Sequence, residues 1–191
     1  MIGIRGTISQ VPVADGRDWL HRQRAEHEWI AFLSSVEADR RARATTGKGK
    51  DVHPREGIAL DPPERKTTTV KSDVDARIPT SVPLAAAQGI LDYRPIDAAP
   101  RVHGLMVIGV ADDAMTPTDH AERLYEAAPS PKRLVMQRNT THYAAYKQYG
   151  PQVIPLMVEW LRARVLRDGV IEVRTDGEAD AGITYIGGGT Q

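Results

Sequence analysis

The stretch GLMVIGVADDAMTPTDHAERLYEAAPSPKRLVMQRNTTHYAAY, residues 104–146, decides the fold of this chain. Gly104 to Val110 is a mostly apolar run of strand length, followed at once by Asp112 and Asp113. Lys132 to Gln137 is a second short run, followed by Asn139, Thr140, Thr141 and His142. Between them Thr116 is placed to cap a helix with Pro117 at its first position, and that helix should run to about Ala128. Strand, helix and strand in this order make a βαβ unit. Its strands should be parallel, so both loops should emerge at one edge of the sheet. An acid and a histidine that lie far apart in sequence therefore converge in space. That pairing is two thirds of a hydrolytic triad.

On either side of this unit the chain reads as further helices and strands. Ile2 to Val13 favours extended structure through Ile4, Thr7, Ile8, Val11 and Val13. Asp15 to about Thr46 reads as a charged helix that Asp15 or Asp18 caps. Trp19, Trp29, Ile30, Leu33 and Val36 mark its apolar side, with Phe32 near it. Residues 45–77 are rich in turn formers and charge and read as a solvated loop. Lys48 and Lys50 flanked by glycines do not complete the phosphate-loop pattern. Ser81 is placed to cap a short helix from Pro83 to about Tyr93. After His142 a short helix should stop at Gly150. A longer amphipathic helix, Gln152 to Leu166, should bury Val153, Leu156, Met157, Trp160, Leu161 and Val165 and end at Gly169. Val170 to Gln191 reads as a hairpin or a disordered tail.

The segment VIGVADDAMTP, a helix, then RLVMQRNTTH resembles the last strands of α/β-hydrolase serine hydrolases. In that family one strand ends in a loop bearing the catalytic acid, and the next leads to a loop bearing the catalytic histidine. Asp113 stands four residues before Pro117, the family's acid-to-proline spacing, and Asp112 is the rival for the acid. His142 matches the histidine. The resemblance implies an α/β fold, the C-terminal half of an α/β-hydrolase domain over residues 1–169, with a helical cap inserted over about 15–100 and an extra tail over 170–191. On this reading Met1 sits mid-domain.

A serine hydrolase also needs a nucleophile and an oxyanion hole. Ser9, Ser34, Ser35, Ser72, Ser81 and Ser130 all lie outside a G-x-S-x-G elbow. The expected activity is peptidase- or esterase-like acyl transfer on a small ester or peptide substrate, with Asp113 and His142 catalytic. The chain should be inactive alone and need a missing half to complete it. The alternative is a non-catalytic remnant or a self-associating module with an exposed strand edge.

Composition narrows the rest. The 191 residues hold 25 basic and 25 acidic side chains, which argues against nucleic acid and acidic membrane surfaces as partners. There is no cysteine, so disulfides and thiol chemistry are excluded. No apolar run reaches transmembrane length and no signal peptide is visible, so the expected location is cytoplasmic. His21 and His27 are spaced too far apart to share a helix face, and His120, in the first turn of its helix, is expected to face solvent. Neither a metal nor a cofactor is expected. Tyr143 and Tyr146 are read as packing residues beside His142.

Overall fold

The computed structural model describes residues 4–62 and 80–165. The expected tail over 170–191, the stop at Gly169 and part of the 45–77 loop lie outside the described residues. A three-stranded parallel sheet forms the centre. Its strands are β1 (Thr7–Gln10), β4 (Leu105–Val110) and β5 (Lys132–Gln137), in the order β1-β4-β5. The register pairs Thr7 with Leu105 and Gln10 with Ile108 on one side, and Leu105 with Lys132 and Val110 with Gln137 on the other. Both pairings are parallel, as the βαβ reading requires.

Every residue of β4 is buried, because the strand is covered on both faces. Helix α5 (Thr118–Ala127) lies on one face. There Leu105 and Val107 meet Ala121 and Leu124, with Leu134 and Met136 of β5 packed alongside. Helix α7 (Gly150–Val165) lies on the other face. There Met106 and Ile108 meet Val153 and Trp160, with Ile8, Val135, Leu156 and Met157 around them. The alternation of β4 side chains thus supplies two separate cores. Leu161 departs from the expected buried face of α7 and is 40% exposed. Gly150 opens α7 directly after the short helix α6 (Ala144–Gln148).

β1 is shorter than the apolar run suggested. It ends where Val11 turns into the left-handed region (φ 43°), a conformation a β-branched residue adopts at a cost. Gly104 enters β4 at φ 73°, and a Cβ there would stand 2.7 Å from the Arg5 carbonyl oxygen. Glycine is required by both conditions.

Between β1 and β4 the chain builds a third core. The expected single helix over 15–46 is two: α1 (Gly16–His21) and α2 (Glu26–Thr46). Asp15 caps α1 by accepting the Asp18 N–H at 3.1 Å, and the Glu28 carboxylate accepts the Ala25 N–H at 2.9 Å where α2 begins. Trp29, Phe32 and Val36 bury against Leu20, Ile58, Leu84, Ala87 and Leu91. The buried stripe therefore runs through Phe32, while Ile30 is 57% exposed. Asp39 continues the stripe. It is buried and accepts main-chain N–H groups of Lys50 and Ala85, pinning the loop ends to α2.

Part of the expected loop is ordered. Asp51–Val52 (β2) pairs antiparallel with Val82–Pro83 (β3), and Pro54–Ile58 forms a wide helical turn. Ser81 is exposed and caps no helix, because Val82 and Pro83 are strand. A tight turn (Leu84–Ala86) and α3 (Ala87–Leu91) follow. The short α4 (Pro95–Ala98) leads on toward β4.

Candidate active site

The three parallel strands end at one edge, and each is followed within two residues by a left-handed residue: Val11, Asp112 and Asn139. After Val110, the Ala111 N–H donates to the Gln137 carbonyl at 2.9 Å, which holds the ends of β4 and β5 together. Asp112 then turns the chain (φ 58°) and is itself exposed. Asp113, the next residue, points inward. Its side chain is 1% exposed and that of His142 is 13% exposed.

Asp113 Oδ2 accepts from His142 Nδ1 at 2.8 Å and from the Thr116 hydroxyl at 2.9 Å. Its Oδ1 accepts the main-chain N–H groups of Met115 at 2.7 Å and Thr116 at 3.1 Å. Thr116 is therefore committed to the acid. The helix-capping position falls to Pro117, and α5 starts one residue later than its sequence suggested. Burial opposes ionisation of Asp113. The hydrogen bonds from His142, Met115 and Thr116, with the attraction of His142, outweigh it and hold the carboxyl below the usual carboxylate range. An ionised Asp113 can only accept, so Nδ1 donates its N–H to it and Nε2 is left with its lone pair for another partner.

The loop bearing His142 is tied to α6 and the start of α7. Tyr149 donates its hydroxyl to the Arg138 carbonyl at 2.6 Å, and Gln148 Nε2 reaches the Asn139 carbonyl at 3.5 Å. Tyr143 and Tyr146 stand edge-on to the imidazole, with ring centroids at 4.9 and 6.2 Å. Burial, the nearby Asp113 charge and Tyr143 push the Tyr146 phenol up, so it stays protonated at neutral pH. Ser34 and Ser35 donate their hydroxyls to carbonyls of α2, at 3.0 and 2.8 Å. Among the described residues no serine is hydrogen-bonded to His142.

A second histidine–aspartate pair lies beside the first, and local sequence gave the wrong orientation for it. His120 is fully buried rather than solvent-facing, because α1 packs over the start of α5. Its Nδ1 accepts the Ala14 N–H at 3.2 Å and its Nε2 meets Asp18 Oδ2 at 2.8 Å. An Nδ1 that accepts carries no proton, so Nε2 is the donor to Asp18. Asp18, Asp119 and His120 bring three ligand-type atoms within 4.8 Å of one another. Arg22 already bridges both carboxylates, at 2.8 Å to Asp18 and 2.7 Å to Asp119, and both nitrogens of His120 are engaged. The cluster is an internal clamp rather than a metal seat.

The same region supplies a contact that sequence reading missed. Trp19 Nε1 of α1 donates to the Met115 carbonyl at 2.7 Å, so residues 113–116 are held from the α1 side as well. The Asp-x-x-Thr spacing of Asp113 and Thr116 is a local turn signal that could have been read. Trp19 carries no comparable signal, since its acceptor is remote in the chain.

No family model matches the sequence. Two curated relatives, each an uncharacterized 31.7 kDa protein in the traX-finO intergenic region of Escherichia coli, are 23% identical over 165 residues. That match covers 83% of this chain and 56% of theirs, so the chain spans about half the length of the curated relatives it matches. Among solved structures it is similar to DcsB in complex with its substrate analogue (TM-score 0.67, 15% identity), over 85% of this chain and 57% of that one. It is also similar to the α/β hydrolase GrgF from Penicillium sp. sh18 (TM-score 0.63, 12% identity, 85% and 56% covered). A third is the monoacylglycerol lipase of Paleococcus ferrophilus (TM-score 0.53, 15% identity, 84% and 59% covered). The chain has an α/β-hydrolase fold, of which it carries a part.

Proposed function

We propose that Asp113 and His142 are the acid and general base of a serine-hydrolase site for ester or amide hydrolysis. A single observation carries this reading: the 2.8 Å contact between His142 Nδ1 and Asp113 Oδ2, at the carboxyl ends of two adjacent parallel strands. Asp113 fixes the tautomer of His142, leaving Nε2 to take the proton of an attacking hydroxyl and return it to the leaving group. Asp113 also stabilises the imidazolium that forms. The 191 residues contain no G-x-S-x-G elbow, so the nucleophile and the oxyanion donors come from outside them. The insertion over about 15–100 acts as a cap, and the Trp19–Met115 bond ties its first helix, α1, to the acid loop. Substrates are small esters or peptides.

The sequence encoded immediately upstream of Met1 tests this reading. An in-frame segment with G-x-S-x-G is expected, and in the longer protein Asp113→Asn should lower kcat by about 10⁴ and His142→Ala by about 10⁶. The isolated chain should neither label with a fluorophosphonate nor turn over p-nitrophenyl esters. Ester turnover by the isolated chain that His142→Ala abolishes would refute the external nucleophile. Full activity of His142→Ala in the longer protein would refute the general base.

The absent elbow also supports a second reading, a non-catalytic remnant or a self-associating interaction module.

A further inference from the structure

Trp19 and Asp113 stand on opposite sides of one peptide group. The indole Nε1 of Trp19 donates to the Met115 carbonyl at 2.7 Å, and the N–H of the next residue, Thr116, donates to Asp113 Oδ1 at 3.1 Å. The Met115–Thr116 peptide is trans. A trans peptide points its C=O and N–H in opposite directions, so the two bonds act on one rigid plane from two sides. Asp113 Oδ2 in turn accepts from His142 Nδ1 at 2.8 Å. Indole, peptide, carboxylate and imidazole thus form one continuous hydrogen-bonded chain, which starts on α1 and ends on the base.

Thr116 turns this chain into a lever on the carboxylate. Its N–H holds Oδ1, and its hydroxyl holds Oδ2 at 2.9 Å. One residue grips both oxygens, so the orientation of its peptide plane fixes the rotation of the carboxylate and the direction in which Oδ2 meets the imidazole. A donor on the Met115 carbonyl restrains that plane. It also polarises the amide, which strengthens the Thr116 N–H as a donor. Trp19 is itself held by its neighbours on α1. Asp18 meets Nε2 of the buried His120 at 2.8 Å, and Arg22 bridges to Asp119 at 2.7 Å. These bonds fix α1 to the first turn of α5, directly beyond the acid loop.

We propose that Trp19 is a positioning residue for His142: seated by α1, it sets the plane of the Met115–Thr116 peptide and thereby the alignment of Asp113 with Nδ1. It acts through that peptide and not on the reacting atoms. Loss of its one donor leaves Asp113 with its four bonds but frees the plane that two of them share. The alignment is a property of these 191 residues. Its effect on turnover rests on the function proposed above. The inserted segment is then more than a cover, because its first helix completes the hydrogen bonding of the acid loop.

The test follows solvent exchange of the His142 Nδ1–H by NMR at neutral pH in the 191-residue chain. Wild type is compared with Trp19→Phe and with a chain carrying benzothienylalanine at position 19, in which sulfur replaces the indole N–H and the bicyclic shape is kept. A protected Nδ1–H is expected in the wild type, exchanging about fivefold faster in both substituted chains. Leu91→Ala lowers stability from the cluster around α2 without touching the chain of bonds, and should leave the exchange unchanged. An unprotected Nδ1–H in the wild type overturns the proposal. So does a benzothienyl chain that exchanges like the wild type, because packing alone is then at work, or an equal acceleration by Leu91→Ala. In the longer protein the benzothienyl substitution should lower kcat about fivefold with KM unchanged; a change in KM alone overturns the positioning role. The two proposals fail separately. Faster Nδ1–H exchange in a longer protein silent toward esters keeps the role of Trp19 and refutes the hydrolase. Ester turnover that requires His142, with exchange unmoved by the benzothienyl substitution, does the reverse.

Discussion

Replacing Asp113 with alanine removes the acceptor of four donors at once: the N–H groups of Met115 and Thr116, the Thr116 hydroxyl and His142 Nδ1. The hydroxyl and the imidazole can turn toward water, since neither is locked by other bonds. The two main-chain groups are fixed by the turn and lose their partner outright. A hydrogen bond to a charged acceptor contributes about 1.5–3 kcal/mol, so two lost in full cost about 3–6 kcal/mol at neutral pH. Against a total stability of about 5–15 kcal/mol this is large. Urea unfolding followed by circular dichroism measures it. The acid dependence adds a second condition. The folded carboxyl is held below its unfolded value, so its contribution is fully present above about pH 4 and is lost as pH falls through the folded value. The gap between wild type and Asp113→Ala should therefore be widest at pH 7 and narrow by pH 3. A loss below about 1 kcal/mol at pH 7, or a gap that is the same at both pH values, would refute the account of how the acid is held.

The two histidine–aspartate pairs should show opposite tautomers by ¹⁵N-detected NMR at pH 7.5, with the proton on Nδ1 in His142 and on Nε2 in His120; matching tautomers would break the assignment of donors. His120→Leu leaves the Ala14 N–H without an acceptor and removes the Asp18 bond, for an expected loss of about 2–4 kcal/mol in the same unfolding assay. Trp19→Phe keeps an aromatic side chain, though a smaller one, and deletes the bond to Met115, with a cost of at least about 1 kcal/mol and faster amide exchange over residues 113–116. Gly104→Ala places a Cβ against the Arg5 carbonyl at a positive φ and should cost at least about 1–2 kcal/mol, read as a lowered melting temperature.

The βαβ unit was legible because its signals are local. An apolar run, a proline near a helix start and a second apolar run declare themselves in sequence. The convergence of Asp113 and His142 then follows from parallel topology alone. What could not be read depends on pairs that sequence does not juxtapose. His120 looked solvent-facing from its place on α5, yet its partners Asp18 and Ala14 arrive from beyond a whole inserted subdomain. The break between α1 and α2 carries neither glycine nor proline, and Glu28 accepting the Ala25 N–H starts the second helix without a side-chain cap at Ala25 itself. Ile30, expected on the buried stripe, is exposed, and Phe32, expected only near it, is buried, because apolar residues two apart leave the angular centre of a stripe undetermined. Gly104 could be seen as a glycine, but not as the point where β4 passes under the Arg5 carbonyl.

One consequence concerns the order of assembly. β4 and β5 are joined by a single helix, whereas β1 waits for its neighbour through residues 11–104. On a ribosome adding about 5–20 residues per second, roughly 5–20 seconds separate the emergence of β1 from that of the strand it pairs with. The closure of so long a span delays that pairing further in a refolding chain. In a refolding chain β1 is thus recruited after the β4–β5 pair, although it comes first in the sequence. The cluster of Trp29, Phe32 and Val36 with Leu84 and Leu91 lies wholly within that span, so its contacts close before β4 is needed.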